Sequence, residues 1–294
     1  MNKIEISKDN IKKGLYYTGS KHKVIKQIKQ HLPDNINNLY VPFCGGLNDV
    51  LNIKAKVYYL NDNCKQLIQL YEYIDSWSSS DRLNNSIESL VDFYELDNQN
   101  REAYLRLRND YNSCGYFFKP KRLLTLIFHS FSNQMRFNDK DEFNLPFGKR
   151  TYNKESKKRL NNLNNFFNNN EIKFYSSNFL KFLKLSLFNF KFNDFILLDP
   201  PYLQSDATYS KSWNEDNLIQ LLNYLKENID NIKFGLTEFL YCKGNLNYIL
   251  NDWIKLHKDK LKIVELKSNF NNSSYQRKSD KGITTEIYIT NYIG

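Results

Sequence analysis

The sequence predicts an α/β fold wound around a parallel sheet and interrupted by a mainly helical insertion. Three observations predict it. Strand, turn and helix follow one another twice within residues 1–74; the same alternation resumes at residue 170; and residues 75–169 turn polar and asparagine-rich.

Taken in order, "KHKVIKQIKQHLP" sets Val24, Ile25, Ile28 and Leu32 near one helical face with lysines on the other, and Pro33 ends the run. "NLYVPFCGGLNDVLN" reads as a short apolar strand, a glycine pair and a stretch suited to opening a helix. "AKVYYLNDNCKQLIQLYEYI" repeats the theme, with a strand to Leu60, an acid at Asp62 and a helix bearing Leu67, Ile68 and Tyr71. Parallel winding of this kind places ligands at the carboxyl ends of the strands. The insertion holds helical runs such as "REAYLRLRNDY". Two aromatic-bearing segments around "NDKDE" read as a β-hairpin, followed by a lysine- and arginine-rich tail. The α/β order returns at "EIKFYSSNFLKFL" and "FNDFILLDPPY". It continues through the helix "NEDNLIQLLNYLKENI" and the strand "KFGLTEF", and closes on the pair "KIVELKSNF" and "TTEIYITNY". The expected division is a discontinuous domain, 1–74 with 170–294, around the insertion 75–169.

A formal charge of +10 over 294 residues points to a polyanionic partner, because a basic surface gains affinity through counterion release without reading any sequence. Nucleic acid is the first candidate. An anionic membrane is the second, but no long uncharged apolar stretch supports it. The opening "MNKIEISKDNIKK" lacks the apolar core of a leader, so a cytoplasmic protein is expected. Cys44, Cys64, Cys114 and Cys242 show no zinc-ligand or redox spacing, and His22, His31, His129 and His257 form no metal motif. Neither a metal site nor histidine acid-base chemistry is expected.

The candidate chemistry lies in "FILLDPPYLQ". A buried strand ends on Asp199, and the fixed φ of Pro200 and Pro201 stiffens the backbone beyond it. The carbonyl of Pro200 then becomes a set acceptor beside the carboxylate, and Tyr202 supplies a flat face. A planar group with an exocyclic amine would find two acceptors for its two N–H donors and a ring to stack on, as needed to read a flipped-out base. The plainer reading is a strand stopped by turn residues. A second constellation is Gly45 and Gly46 after a strand, which permit a tight turn, with Asp62 at the end of the next strand placed for ribose hydroxyls. Asp62 followed by Asn63 suits a helix cap equally well.

"LYYTGSKHKVIKQI", "VPFCGG", "LND", "RFNDKDEFNLPFG", "LLDPPY" and "SSYQRKSDKGITTEIYITNY" occur in the order that resembles the Dam-like adenine-specific DNA methyltransferases of the D12 class. The resemblance covers nearly the whole chain. It implies a Rossmann-like S-adenosylmethionine-dependent methyltransferase fold with a target-recognition insertion, S-adenosylhomocysteine as product, and double-stranded DNA as partner. By resemblance Tyr17 and Lys21 touch the cofactor, Phe43, Gly45 and Gly46 line its methionine end, Asp62 takes its ribose, and Asn178 and Phe179 its adenine. Asp199, Pro200 and Tyr202 hold the target adenine. Arg136 reads a guanine edge, with Pro146 its partner on the same hairpin and Asn138 and Asn144 as hairpin residues. The resemblance is also compatible with a GATC-like site and a cognate restriction endonuclease, and with a monomer or weak dimer.

Departures from the family pattern bear on the cofactor more than on the base. Leu47 and Asn48 stand where a third glycine is usual, Asn178 replaces an aspartate, and Lys21 follows "GS" rather than "GG". Three rivals stay open: methylation of the cytosine amino group, methylation of RNA adenine, and a non-catalytic DNA-binding protein on a degenerate fold. For the lysines at 154, 157 and 158, phosphate contact and plain solvation are equally open.

Overall fold

The computed structural model describes residues 11–115, 119–203, 213–267 and 284–292. The leader reading of residues 1–10, the end of "KIVELKSNF" and the stretch "SSYQRKSDKGI" lie outside the described residues. The chain divides into two compact units. One, here the sheet unit, comprises 23–44, 54–65 and 171–294; the other, the helical unit, comprises 1–22, 45–53 and 66–170.

In the sheet unit β1 (Asn38–Val41), β2 (Val57–Asn61), β3 (Glu171–Tyr175), β4 (Phe195–Leu198), β5 (Phe234–Cys242), β7 (Lys262–Leu266) and β8 (Thr285–Thr290) lie in the order β3-β2-β1-β4-β5-β8-β7, with the short β6 (Asn245–Leu246) paired to β5. Strands β1 to β5 run parallel, whereas β8 is antiparallel to both its neighbours. From β1 the chain moves outward to β2 and β3, then returns to the other side of β1 at β4. The winding reverses there, and such a reversal opens a ligand crevice at the carboxyl strand ends.

Burial explains why β4 is central. All four residues of "FILL" are buried, as a strand covered on both faces requires. Its neighbour β5 carries Phe234 and Leu236 into a core with Tyr40, Phe182, Leu183, Leu221, Leu225 and Trp253. Each such aliphatic or aromatic side chain stabilises the fold by about 1.5–3 kcal/mol. The helices α1 (Ile25–Lys29), α7 (Phe179–Leu187), α8 (Glu215–Asn228) and α9 (Tyr248–His257) accompany this sheet. Asn178, Asn214 and Asn247 cap the last three, and Asn214 forms a reciprocal capping box with Asn217. Each cap contributes about 1 kcal/mol. Gly235 is required where β8 crosses, since a Cβ there would meet the Tyr288 hydroxyl.

The helical unit is built from α2 (Lys65–Asp75, from Gln66 onward), α3 (Ser80–Tyr94), α4 (Arg101–Ser113), α5 (Lys119–His129) and α6 (Lys154–Asn168). Its asparagines have local work: Asn100 and Asn153 cap α4 and α6, and the buried Asn164 donates to the carbonyls of Ile74 and Trp77. Between α5 and α6 a hairpin forms through antiparallel bridges Ser130↔Phe147 and Phe137↔Phe143. Asn112 of α4 anchors it, accepting from the Phe143 amide and donating to the Phe143 carbonyl.

Two expected helices shrink. After the glycine pair there is only a 3-10 turn, Val50–Asn52, because Asp49 caps the Val50 amide and Ile53 is already extended. The run "KHKVIKQIKQHLP" keeps five α-helical residues, since Val24 supplies no side-chain cap and no acid occupies the first turn. Among the described residues no helix is long and apolar enough to cross a membrane.

Candidate functional site

Asp199 is the first residue beyond β4, and its Oδ1 accepts the Thr237 hydroxyl at 2.6 Å. Thr237 comes from β5, the strand beside β4, so the parallel pairing itself delivers this donor. Tyr202, three residues on, is 8% exposed. Its hydroxyl donates to Oε1 of Glu286 at 2.6 Å, and its ring meets that of Phe239 at 4.5 Å and 67°. Burial first, then the charges of Glu286 and Asp199, push the phenol well above its ordinary value, so it remains a donor.

On the other side of the reversal Phe43 follows β1. Its ring lies 5.4 Å from Phe179, which opens α7, and 5.4 Å from Trp213; Phe179 and Trp213 are 5.3 Å apart. The three form one aromatic cluster in the sheet unit. Asp62, just past β2, is buried and accepts the Cys64 amide at 2.9 Å, closing the turn that leads into α2 at Lys65. Beside it Asn61, 1% exposed, donates to the carbonyls of Pro42 and Ser177 and accepts the amide and hydroxyl of Ser177. It thereby laces together the carboxyl ends of β1, β2 and β3. Asn178 is exposed and turned to cap α7 through the Leu180 amide at 2.9 Å.

In the helical unit the N-terminal motif packs on the glycine turn. A Cβ at Gly45 would come 3.2 Å from the Tyr17 ring, and one at Gly46 would come 2.5 Å from Tyr17 Cβ. Tyr71 donates to the Gly45 carbonyl. Asn48, buried where a third glycine is usual, accepts from the Gly14 amide at 3.1 Å and donates to the Leu15 carbonyl at 2.9 Å. Leu47 takes the left-handed conformation there, at φ 58°. Arg159 of α6 donates to the Gly14 carbonyl and covers the Tyr16 ring at 3.8 Å. Lys21 is buried, with its ammonium donating to the Gly19 carbonyl at 2.7 Å.

On the hairpin, the guanidinium of Arg136 donates through Nε to Asn144 Oδ1 at 2.8 Å and through Nη2 to the Asn144 carbonyl at 3.1 Å. Asn138 organises the tip, accepting the amides of Lys140 and Glu142. The Pro146 carbonyl accepts the Phe131 amide at 3.0 Å. Among the described residues no group of histidine, cysteine, aspartate and glutamate could hold a metal ion.

Sequence reasoning named Asp199, Tyr202, Phe43, Phe179, Tyr17, Gly45, Gly46, Arg136 and Asn144, and the structure pairs or clusters these within their own units. It missed Thr237, Glu286, Asn61 and Trp213, and it named Asn48 only as a departure from the glycine pattern. Glu286 carried a signal, an acid set directly against the apolar run "IYI" of "TTEIYITNY"; Thr237 carried none.

A doubly wound sheet whose winding reverses at β1 and β4, with an antiparallel strand between β5 and β7, is the fold of the α/β methyltransferases. The profile of the D12 class N6 adenine-specific DNA methyltransferases matches residues 17–235. The modification methylase StsI of Streptococcus sanguinis is 35% identical over 303 aligned residues, covering 99% of this chain and 45% of its own length. The type II methyltransferase M.FokI of Planomicrobium okeanokoites is 32% identical, again with 99% and 45% coverage. The DNA adenine methylase of Salmonella typhi is 25% identical over 269 residues, 90% of this chain and 91% of its own. The chain belongs to the D12 class N6 adenine-specific DNA methyltransferase family, and it spans under half the length of the first two relatives.

Proposed function

We propose that the chain methylates N6 of an adenine turned out of duplex DNA, using S-adenosylmethionine and releasing S-adenosylhomocysteine. The observation that carries this reading is Asp199 held by Thr237 at the carboxyl end of β4, next to the strand reversal. Inside a duplex the amine is out of reach, so the base must be extruded.

The exocyclic nitrogen is a poor nucleophile because its lone pair is delocalised into the ring. Donation of its two N–H groups to the Asp199 carboxylate and the Pro200 carbonyl favours a tetrahedral nitrogen and frees that pair. Bound S-adenosylmethionine supplies a sulfonium methyl open to attack, and the electron pair of the broken carbon–sulfur bond leaves with sulfur. As the nitrogen–carbon bond forms, Asp199 stabilises the positive charge growing on N6 until one of the N6 protons passes to solvent. Tyr202 offers its ring to the base.

The residues present suit the cofactor chemically. The aromatic faces of Phe43 and Phe179 fit an adenine and the acid at Asp62 fits ribose hydroxyls, while Asn178 would have to share with the cofactor amine the side-chain oxygen that caps α7. Tyr17, Lys21, Gly45 and Gly46 fit the methionine end. Residues 1–74 and 170–294 are taken as the catalytic domain and 75–169 as the target-recognition domain. There Arg136 reads a guanine edge, supported by Asn138, Asn144 and Pro146. A GATC-like duplex is the first substrate to try. Two relatives are named as modification or type II methylases, which supports a restriction endonuclease as partner. Action as a cytoplasmic monomer or weak dimer completes the reading.

Mass analysis of nucleosides from duplex DNA and RNA, each incubated with protein and S-adenosylmethionine, tests it. The expected product is N6-methyladenine in DNA, absent with Asp199→Ala. Methylcytosine, methylated RNA alone, or no product would overturn it.

A further inference from the structure

Glu286 lies on β8 in the C-terminal motif "TTEIYITNY", which the proposed reaction does not use. It is 5% exposed, and a buried acid is costly unless it is well bonded. Packing alone does not call for one here, because a phenylalanine at 202 would fill the same space without a carboxylate beside it. The bond it makes is of the strong, charge-assisted kind: the Tyr202 hydroxyl donates to Oε1 at 2.6 Å across 84 residues of sequence.

The register shows how the grip is built. Glu286 stands directly opposite Phe239 in the β5–β8 ladder, so the two side chains share one face of the sheet. Phe239 meets the Tyr202 ring edge-on at 4.5 Å while Glu286 takes its hydroxyl. Two cross-strand neighbours thus hold the ring and the far tip of one tyrosine. A ring held at both places keeps its plane when a base is brought against it. Because the phenol stays protonated, the donor persists through the working pH range.

We propose that Glu286 is a positioning residue that sets the plane of Tyr202 for the extruded adenine without touching the reacting atoms. This rests on the reading of Asp199 to Tyr202 as the base site.

The test compares Glu286→Ala, Glu286→Gln, Tyr202→Phe and the Tyr202→Phe/Glu286→Ala double variant in single-turnover methyl transfer at saturating S-adenosylmethionine. Cofactor binding is measured in parallel, together with the fluorescence of 2-aminopurine placed at the target adenine. Glu286→Ala is expected to slow transfer by about 10- to 100-fold, to leave cofactor affinity in place and to change the 2-aminopurine signal. Glu286→Gln, whose amide oxygen accepts the same bond, should recover most of the rate. In the Tyr202→Phe background the second substitution should add little, since the two residues act as a unit. Thermal melting screens for misfolding, and the near-isosteric Gln and Phe variants keep the test decisive should the alanine variant fail to fold. A wild-type rate in Glu286→Ala, or an equal loss with and without the Tyr202 hydroxyl, would overturn the proposal alone. Wild-type protein that methylates no adenine would overturn the base-site reading, and the proposal with it.

Discussion

Thr237 donates its hydroxyl to Oδ1 of Asp199 across 2.6 Å, so the acid proposed to receive the adenine amine is aimed by a residue 38 positions further along the chain. A hydrogen bond to a charged group contributes about 1.5–3 kcal/mol. Thr237→Val keeps the shape and removes the donor. The expected result is a fall in the single-turnover rate of about tenfold or more with unchanged cofactor affinity, while Thr237→Ser stays close to wild type. Equal rates for the valine and wild-type proteins would show that Asp199 needs no such guide.

At Gly46 a methyl group would press to 2.5 Å from Tyr17 Cβ and 2.9 Å from the Leu15 carbonyl, neither of which is the free end of a flexible chain. Gly46→Ala should therefore displace the N-terminal motif. Overpacking of this kind costs about 1–3 kcal/mol. Isothermal titration with S-adenosylmethionine should record weaker binding together with a lower melting temperature; full affinity in the variant would sever the link between this turn and the cofactor.

Arg136 enters any complex with part of its fork already engaged by Asn144. A bidentate arginine contact to a guanine, the role proposed for Arg136, is worth about 1–3 kcal/mol of discrimination. Arg136→Ala should lower kcat/KM on the preferred duplex far more than on a duplex changed at one base pair. Asn144→Ala, which removes the bond to Nε and leaves the one to the backbone carbonyl, should lose a smaller part of the same ratio. Comparing the two duplexes for each variant checks this, and a ratio left unchanged by Arg136→Ala would remove Arg136 from recognition.

His129 is fully enclosed in α5, and burial lowers its pKa from 6.5 against the weaker opposing effects of the Thr125 carbonyl and Asp97. Unfolded, the ring takes up a proton near pH 6.5; folded, it resists until lower pH. Stability is therefore complete above about pH 6.5 and is lost as pH falls from there toward the folded value. His31 shifts in the same direction through burial and Lys262, so it adds to the slope. Urea unfolding at pH 8 and pH 5.5 should show the loss, and His129→Leu should flatten it. A variant with the original slope would assign the effect elsewhere.

Local chemistry made much of this protein readable in advance. The run "FILL" is apolar throughout because β4 is covered on both faces, and the prolines after Asp199 mark its end wherever the strand lies. The hairpin around Asn138 is announced by its own turn residues, and the asparagines before α4, α6 and α8 are caps that act within three positions. Where two local signals competed, the reading failed: Asp49 and Leu47 reduce an expected helix to a single turn.

Which residues do the holding was decided elsewhere. The sequence by itself determined the succession of strands and helices along the chain, the acid that follows β4 and the aromatic residue close behind it, because burial period and turn chemistry are short-range. Only the tertiary structure brought β8 between β5 and β7, and with it Glu286 to Tyr202; it likewise paired β5 with β4, and so Thr237 with Asp199, and folded Asn48 back onto Gly14. Those pairs are separated by 84, 38 and 34 residues. Strand order and register select such partners through packing across the whole sheet, and no window of neighbouring residues contains that information.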